Sequence, residues 1–257
     1  MSPGHVECTS SELLAVVASR ELRARRTVFA GIGLPTLAAS LAHLTVAPEL
    51  EIVYESGVCG AHPSQLPETI ADAVLITGAE AVLPMPVLFG YVLQGGHIDV
   101  GFLGAAQIDR FGNLNSSVIG DWHAPKVRLP GPGGAMEVMA SAREVFVVMR
   151  RHDRRSFVDE LDFCTSPGPH RALAEGVRPL GAGVTRVVTE LGILASSGQG
   201  DELRLVAVHP GVTVEQAREA TGWDLAVAPD LGTVQPPTAA ELRLLRDEVD
   251  PGRVYLR

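Results

Sequence analysis

The chain has 257 residues, 46% of them hydrophobic, with 27 glycines and 18 prolines, enough apolar content for one large or two small globular cores. Its formal net charge of −9 argues against a nucleic-acid-binding surface, because phosphate binding is driven by clustered Lys and Arg releasing counterions. The longest nearly uncharged apolar stretch, residues 81–93, is too short to span a bilayer and contains Pro84 and Pro86, so no membrane segment is expected.

Thr9-Ser10-Ser11-Glu12 reads as a capping box, and Leu13, Leu14, Val16, Val17 and Leu22 recur behind it at helical spacing. That helix ends in a basic turn at 23–26. Residues 27–30 form a short buried strand, followed by Gly31-Ile32-Gly33-Leu34-Pro35 and an Ala/Leu-rich helix to about Leu44. A second such unit begins with a strand at 51–54 and a glycine turn after Glu55. Residues 98–103 and 144–149 read as further β-branched strands, with a helix at 136–142 between them. Strands alternating with helices predict an α/β fold, a mostly parallel sheet flanked by helices. From Arg186 the texture changes to short strands at 186–189, 192–194 and 203–208, a β-rich C-terminal subregion, and helices at 214–221 and 238–249 close the chain. No repeat or low-complexity linker interrupts this pattern, so residues 1–257 are expected to form a single domain.

The N-terminus has no basic patch followed by an apolar core and a small-residue cleavage site, so the cytoplasm is the expected location. Cys8, Cys59 and Cys164 are an odd number at wide spacings, which fits neither a disulfide framework nor a zinc site. His62 and His97 have no partner at metal-ligand spacing, and no metal is expected. Open α/β sheets bind ligands beyond the carboxyl ends of their parallel strands. Four glycine-rich segments stand at such places: 31–35, 55–63, 101–115 and 130–135. Their backbone N–H groups can point at a phosphate or a developing oxyanion. The first of them, Gly31-x-Gly33, lacks the third glycine of a dinucleotide fingerprint, and there is no Walker lysine motif.

Glu55 is the most informative residue, a carboxylate delivered by an apolar strand into a turn containing Gly57 and Gly60. On spacing alone, a strand-end carboxylate is more often solvated or ion-paired, and a cysteine such as Cys59 more often a small buried filler. The surrounding motifs bear on this choice. Glu55-Ser56-Gly57 is followed in order by Gly101-Phe102-Leu103-Gly104-Ala105-Ala106-Gln107 and by Gly131-x-Gly133-Gly134-Ala135, with Pro125-Lys126 before the last. Further on come Thr165-Ser166-Pro167-Gly168, Thr189-Glu190-Leu191-Gly192, His209-Pro210-Gly211-Val212 and Glu248-Val249-Asp250-Pro251-Gly252. Through nearly its whole length the chain resembles the β subunit of class I CoA-transferases, most closely the glutaconate CoA-transferase type.

The resemblance implies a class I CoA-transferase-like fold and makes Glu55 the match to the family's reactive glutamate. The implied substrates are an acyl-CoA, with coenzyme A as the group moved, and a small (di)carboxylic acid. The implied route is covalent, through a glutamyl-CoA thioester on Glu55. Gly57, Gly104, Ala105, Gln107, Gly133, Gly134 and Ala135 are the positions implied to bind CoA or to stabilise the oxyanion, and Cys59 and His62 are expected in the pocket wall. The family builds its cleft between two kinds of subunit, so an α partner is expected, often as α2β2. Relatives of the same fold imply two alternatives, a decarboxylase of methylglutaconyl-CoA and a carbon-carbon hydrolase of CoA-linked ring remnants. A non-catalytic CoA-ester-binding partner is a third.

Overall fold

The structure is a computed structural model that describes residues 7–256 apart from 62 and 64. Helix α1 (Ser10–Glu21) leads into β1 (Thr27–Ala30), α2 (Leu34–Leu44) and β2 (Glu51–Val53). After β3 (Val58–Cys59) and β4 (Ala81–Val82), helix α3 (Met85–Val87) runs on into a π turn at Leu88–Leu93. Next come β5 (Val100–Leu103), β6 (Gln107–Ile108), β7 (Leu114–Asn115), and a hairpin of β8 (Val118–Gly120) and β9 (Pro125–Arg128). Helix α4 (Ala135–Ser141) and β10 (Glu144–Val148) complete the parallel part with α5 (Pro169–Ala174) and β11 (Val184–Val188). The remainder is β12 (Gly192–Ala195), β13 (Arg204–Val208), α6 (Val214–Ala220), β14 (Ala226–Thr233) and α7 (Ala239–Leu244), which continues as a π turn at Leu245–Val249.

Ten of these strands form one sheet in the order β14-β13-β12-β11-β10-β5-β1-β2-β3-β4. Strands β11, β10, β5, β1 and β2 run parallel to one another. At one edge β3 and β4 are added antiparallel, and at the other β12 turns back on β11 and β13 on β12. The expected α/β architecture, mostly parallel with a β-rich C-terminal part, is therefore the one observed.

Burial on both faces of the sheet explains why its strands read as continuous apolar runs. Val28, Ala30, Ile52, Tyr54, Val100, Phe102, Phe146 and Val148 belong to the core under α1 and α2. Their alternates Phe29, Val53, Val145 and Val147 belong to the core on the opposite face, under α4. Gly101 sits where α4 crosses β5. A Cβ there would lie 2.2 Å from Val138 Cγ1, so the helix packs this close only over a glycine.

Three expected boundaries shift for identifiable reasons. The strand expected at 98–103 starts at Val100, because Asp99 turns its carboxylate back to accept from the Arg26 and Thr27 amides. The helix expected at 214–221 stops at Ala220, where the Thr221 hydroxyl donates to the Ala217 carbonyl. The closing helix expected at 238–249 loosens into a π turn after Leu244. Strands β3, β4, β6 and β7 have two residues each, too few for any periodicity to announce them; β8 and β9 form a largely unburied hairpin, and β14 contains Pro229 and pairs across a register shift.

Candidate active site

Strands β10, β5, β1 and β2 lie side by side and empty at their carboxyl ends into one cleft of about 440 Å³. Each contributes the residues that follow it: 31–35 after β1, Glu55 after β2, Gly104 and Ala105 after β5, and Arg150 after β10. The remaining wall comes from Ser116 and the glycine-rich segment Gly131, Pro132, Gly134 and Ala135 that runs into α4.

Glu55 stands at the tip of a tight antiparallel connection between β2 and β3. The Gly57 amide donates to the Tyr54 carbonyl at 2.9 Å, and the Tyr54 amide donates to the Val58 carbonyl at 2.9 Å, which closes the turn around Glu55 and Ser56. Tyr54 anchors it from below. Its side chain is fully buried, and burial pushes its phenol up to about 12. Gly57 has φ +96°, and a Cβ there would lie 1.9 Å from the Leu83 carbonyl oxygen, so both conformation and space demand glycine. The Glu55 side chain is half-buried and has no hydrogen-bond or ion-pair partner among the described residues. A carboxylate with no donor against it keeps both oxygens available for attack.

The Gly133–Gly134 turn closes over that carboxylate. A Cβ on Gly133 would lie 3.3 Å from Glu55 Oε1, and one on Gly134 would lie 3.2 Å from the same oxygen and 2.8 Å from the Phe89 ring. The glycines thus let main chain approach where any side chain would press on the carboxylate. Two bonds hold this segment in place: the Gly131 amide donates to the Ser116 carbonyl at 2.9 Å, and the Ser116 hydroxyl donates to the Gly131 carbonyl at 3.0 Å.

Of the residues singled out from sequence, Glu55, Gly104, Ala105, Gly134 and Ala135 line the cleft, and Gly133 backs the carboxylate. Gly57 lies behind the wall, where it shapes the turn. Gln107 is buried in β6, where its amide group donates to Asp162 at 3.2 Å and accepts from Asn115 at 2.8 Å, and it is absent from the cleft lining. Cys59 packs half-buried in β3, outside the lining, with its thiol pushed up by burial and then by the nearby Glu51. His62 lies outside the described residues. Among those described, no group of three or more His, Cys, Asp and Glu is placed to hold a metal ion.

Sequence reasoning does not single out Arg150 or Ser116. A signal for Arg150 exists, since it directly follows an apolar strand whose carboxyl end is a place where such sheets bind ligands. Two residues further on, His152 is buried and stacked on Phe157 at 3.8 Å. Its Nε2 is 3.0 Å from Thr221 Oγ1 and its Nδ1 3.0 Å from Thr189 Oγ1. The Thr221 hydroxyl also donates to the Ala217 carbonyl at 2.7 Å, and the Thr189 hydroxyl to the Gly192 carbonyl at 3.1 Å. Burial lowers this imidazole to about 4 and keeps it neutral.

A model of the coenzyme A transferase family matches residues 12–220. The chain belongs to that family. It is 45% identical to the β subunit of the 3-oxoadipate CoA-transferase of Pseudomonas knackmussii, over 93% of this chain and 92% of that one. It is 32% identical to the β subunit of the glutaconate CoA-transferase of Acidaminococcus fermentans, over 97% and 95% of the two chains. The crystal structure of the Acidaminococcus fermentans enzyme superposes with a TM-score of 0.90 at 30% identity, covering 99% of each chain. The decarboxylase AibA/AibB superposes with a TM-score of 0.80 at 25% identity, over 96% and 97%. This CoA-transferase family member also has no described helix long and apolar enough to cross a membrane.

Proposed function

We propose that this chain is the glutamate-bearing β subunit of a heteromeric CoA-transferase, moving CoA from an acyl-CoA to a small mono- or dicarboxylic acid. The observation that carries this reading is Glu55, an unpartnered carboxylate at the tip of a tight turn, inside a cleft whose other wall is glycine main chain. The relatives' designation as one of two kinds of subunit supports a partner chain that completes the cleft, with α2β2 the expected stoichiometry.

The chemistry follows from that carboxylate. A Glu55 oxygen attacks the thioester carbonyl carbon, the C–S bond breaks, and CoA leaves as a thiolate with an acyl-glutamyl anhydride behind it. The thiolate then attacks the glutamyl carbonyl, expels the donor acid as a carboxylate and leaves a glutamyl-CoA thioester. The acceptor carboxylate attacks that thioester, and the same two steps run in reverse to give the new acyl-CoA and free Glu55. No net proton and no ATP are consumed. Each tetrahedral intermediate carries an oxyanion, for which the amides of the Gly133–Gly134 turn serve as donors. Water must be kept out, since both covalent intermediates hydrolyse. The open cleft of the single chain is thus expected to be capped by the α subunit.

A decarboxylase or hydrolase of the same fold needs no acyl-glutamyl stage. The test is to co-express the chain with its α subunit, incubate with acyl-CoA, and treat with borohydride or hydroxylamine. Modification at Glu55, absent in Glu55→Gln, is expected, together with loss of transfer by at least about 10³-fold in that variant. Transfer by Glu55→Gln at near-normal rate would overturn the assignment.

A further inference from the structure

Among the described residues that line the cleft, Arg150 is the one cation and Glu55 the one anion. In a chain of net charge −9, a second negative group on a substrate entering this cleft therefore meets either Arg150 or no positive side chain of that lining. The two residues follow β10 and β2, with β5 and β1 between them, so their strands stand three sheet spacings apart, or roughly 14 Å at the backbone. Both residues line the same cleft. Arg150 Nη1 donates to the Ser11 hydroxyl at 2.9 Å, its sole hydrogen-bond partner among the described residues. That bond steadies the guanidinium and leaves the rest of its fork open, in the planar geometry that grips a carboxylate through two parallel N–H···O bonds. The CoA nucleotide carries several phosphate charges and is matched by a cluster of cations, which the described lining of this cleft does not have.

We infer, building on the transferase reading, that Arg150 binds the carboxylate of a dicarboxylic substrate that lies remote from the reacting carbonyl, and so sets the cleft's preference for diacids over monoacids. With its reacting carboxyl joined to Glu55 in the acyl-glutamyl anhydride and its remote carboxylate on Arg150, a diacid is held at both termini, whereas a monoacid leaves the guanidinium unmatched.

The test uses the assembled heteromer, wild type and Arg150→Gln, with one acyl-CoA donor held constant and with succinate, glutarate, acetate and butyrate as acceptors. The expected result is a fall in kcat/KM of roughly 10- to 100-fold on the two diacids, carried mainly by KM and several-fold smaller on the two monoacids. Arg150→Lys should recover part of the diacid loss, since the charge returns without the fork. An equal loss on all four acceptors would overturn the inference, as would a loss that follows the acyl-CoA donor, because Arg150 would then be meeting a CoA phosphate or supporting the fold. No loss at all would also overturn it. A wild-type heteromer that passes CoA to none of the acceptors refutes the transferase reading instead, and the two failures are thereby separated.

Discussion

Where α1 meets the C-terminal helix, Arg246 grips Glu12 through two bonds of 2.6 and 2.8 Å, and Arg20 grips Glu241 through two of 2.8 and 2.6 Å. At the cleft, Glu55 has no partner among the described residues and Arg150 only a serine hydroxyl. The bonds from Arg246 hold the Glu12 carboxyl below the usual carboxylate range, and at Glu241 burial would raise the carboxyl but the Arg20 bonds override it. His152 is enclosed in neutral form, with each ring nitrogen 3.0 Å from a threonine hydroxyl. The difference teaches what each region is for. Paired groups have spent their lone pairs and protons on the fold. The cleft leaves its charges unmatched, which is unfavourable for the isolated chain and is what binding and attack require.

The largest effect expected from the packed region is acid lability. His152 titrates near 4 in the folded chain against an ordinary value of 6.5, so on lowering the pH the unfolded state takes up the proton first. Stability is then full above pH 6.5 and falls by on the order of 3 kcal/mol by pH 4. His209, also lowered by burial, adds in the same direction. Urea melts at pH 7, 5.5 and 4 should show this slope, and His152→Gln should flatten it. An unchanged slope in that variant would place the acid sensitivity elsewhere.

On the cleft side, Gly134→Ala should lower kcat by about 100-fold, because the added methyl presses on Glu55 and on the Phe89 ring and misplaces the nucleophile. Its effect on thermal stability should be small by comparison. A variant with normal turnover would mean that main-chain access to Glu55 is not needed. Arg246→Ala should do the reverse, removing about 1–2 kcal/mol of stability after allowance for its partial exposure, with transfer activity retained. Because the Glu12 pKa is depressed on folding, that contribution is present above its ordinary value of 4.5 and is lost as pH falls through the lowered one. Melts of wild type and variant should accordingly converge in acid. Smallest of all, Cys59→Ala should change transfer by no more than roughly twofold, since the thiol lies outside the cleft lining. A large loss would bring the β3 thiol into the site.

Much of this is legible in residue order. The apolar runs at β1, β2, β5 and β10 mark strands buried on both faces, and the glycines after β1, β2 and β5 mark carboxyl ends that open on the cleft. The capping box at Thr9 and Glu12 is present as read, with reciprocal bonds of 2.8 and 3.2 Å. Gln107 shows the limit of this kind of reading. It follows the cleft-lining Ala105 by two residues, and a change of chain direction turns it into a buried network with Asn115 and Asp162.

By itself the sequence determined the parallel α/β frame, the capped first helix and a glutamate delivered into a glycine turn, because each is a local pattern of polarity and backbone freedom. Only the tertiary structure decided which turns share a cleft, since that depends on a sheet order in which β10 and β5 lie beside β1 and β2. For the same reason only the fold could set the Gly133–Gly134 turn against Glu55, some 80 residues earlier in the chain, and place Arg150 across from it. Sequence spacing carries no information about such approaches. They follow from how strands are ordered and how closely the helices pack over them.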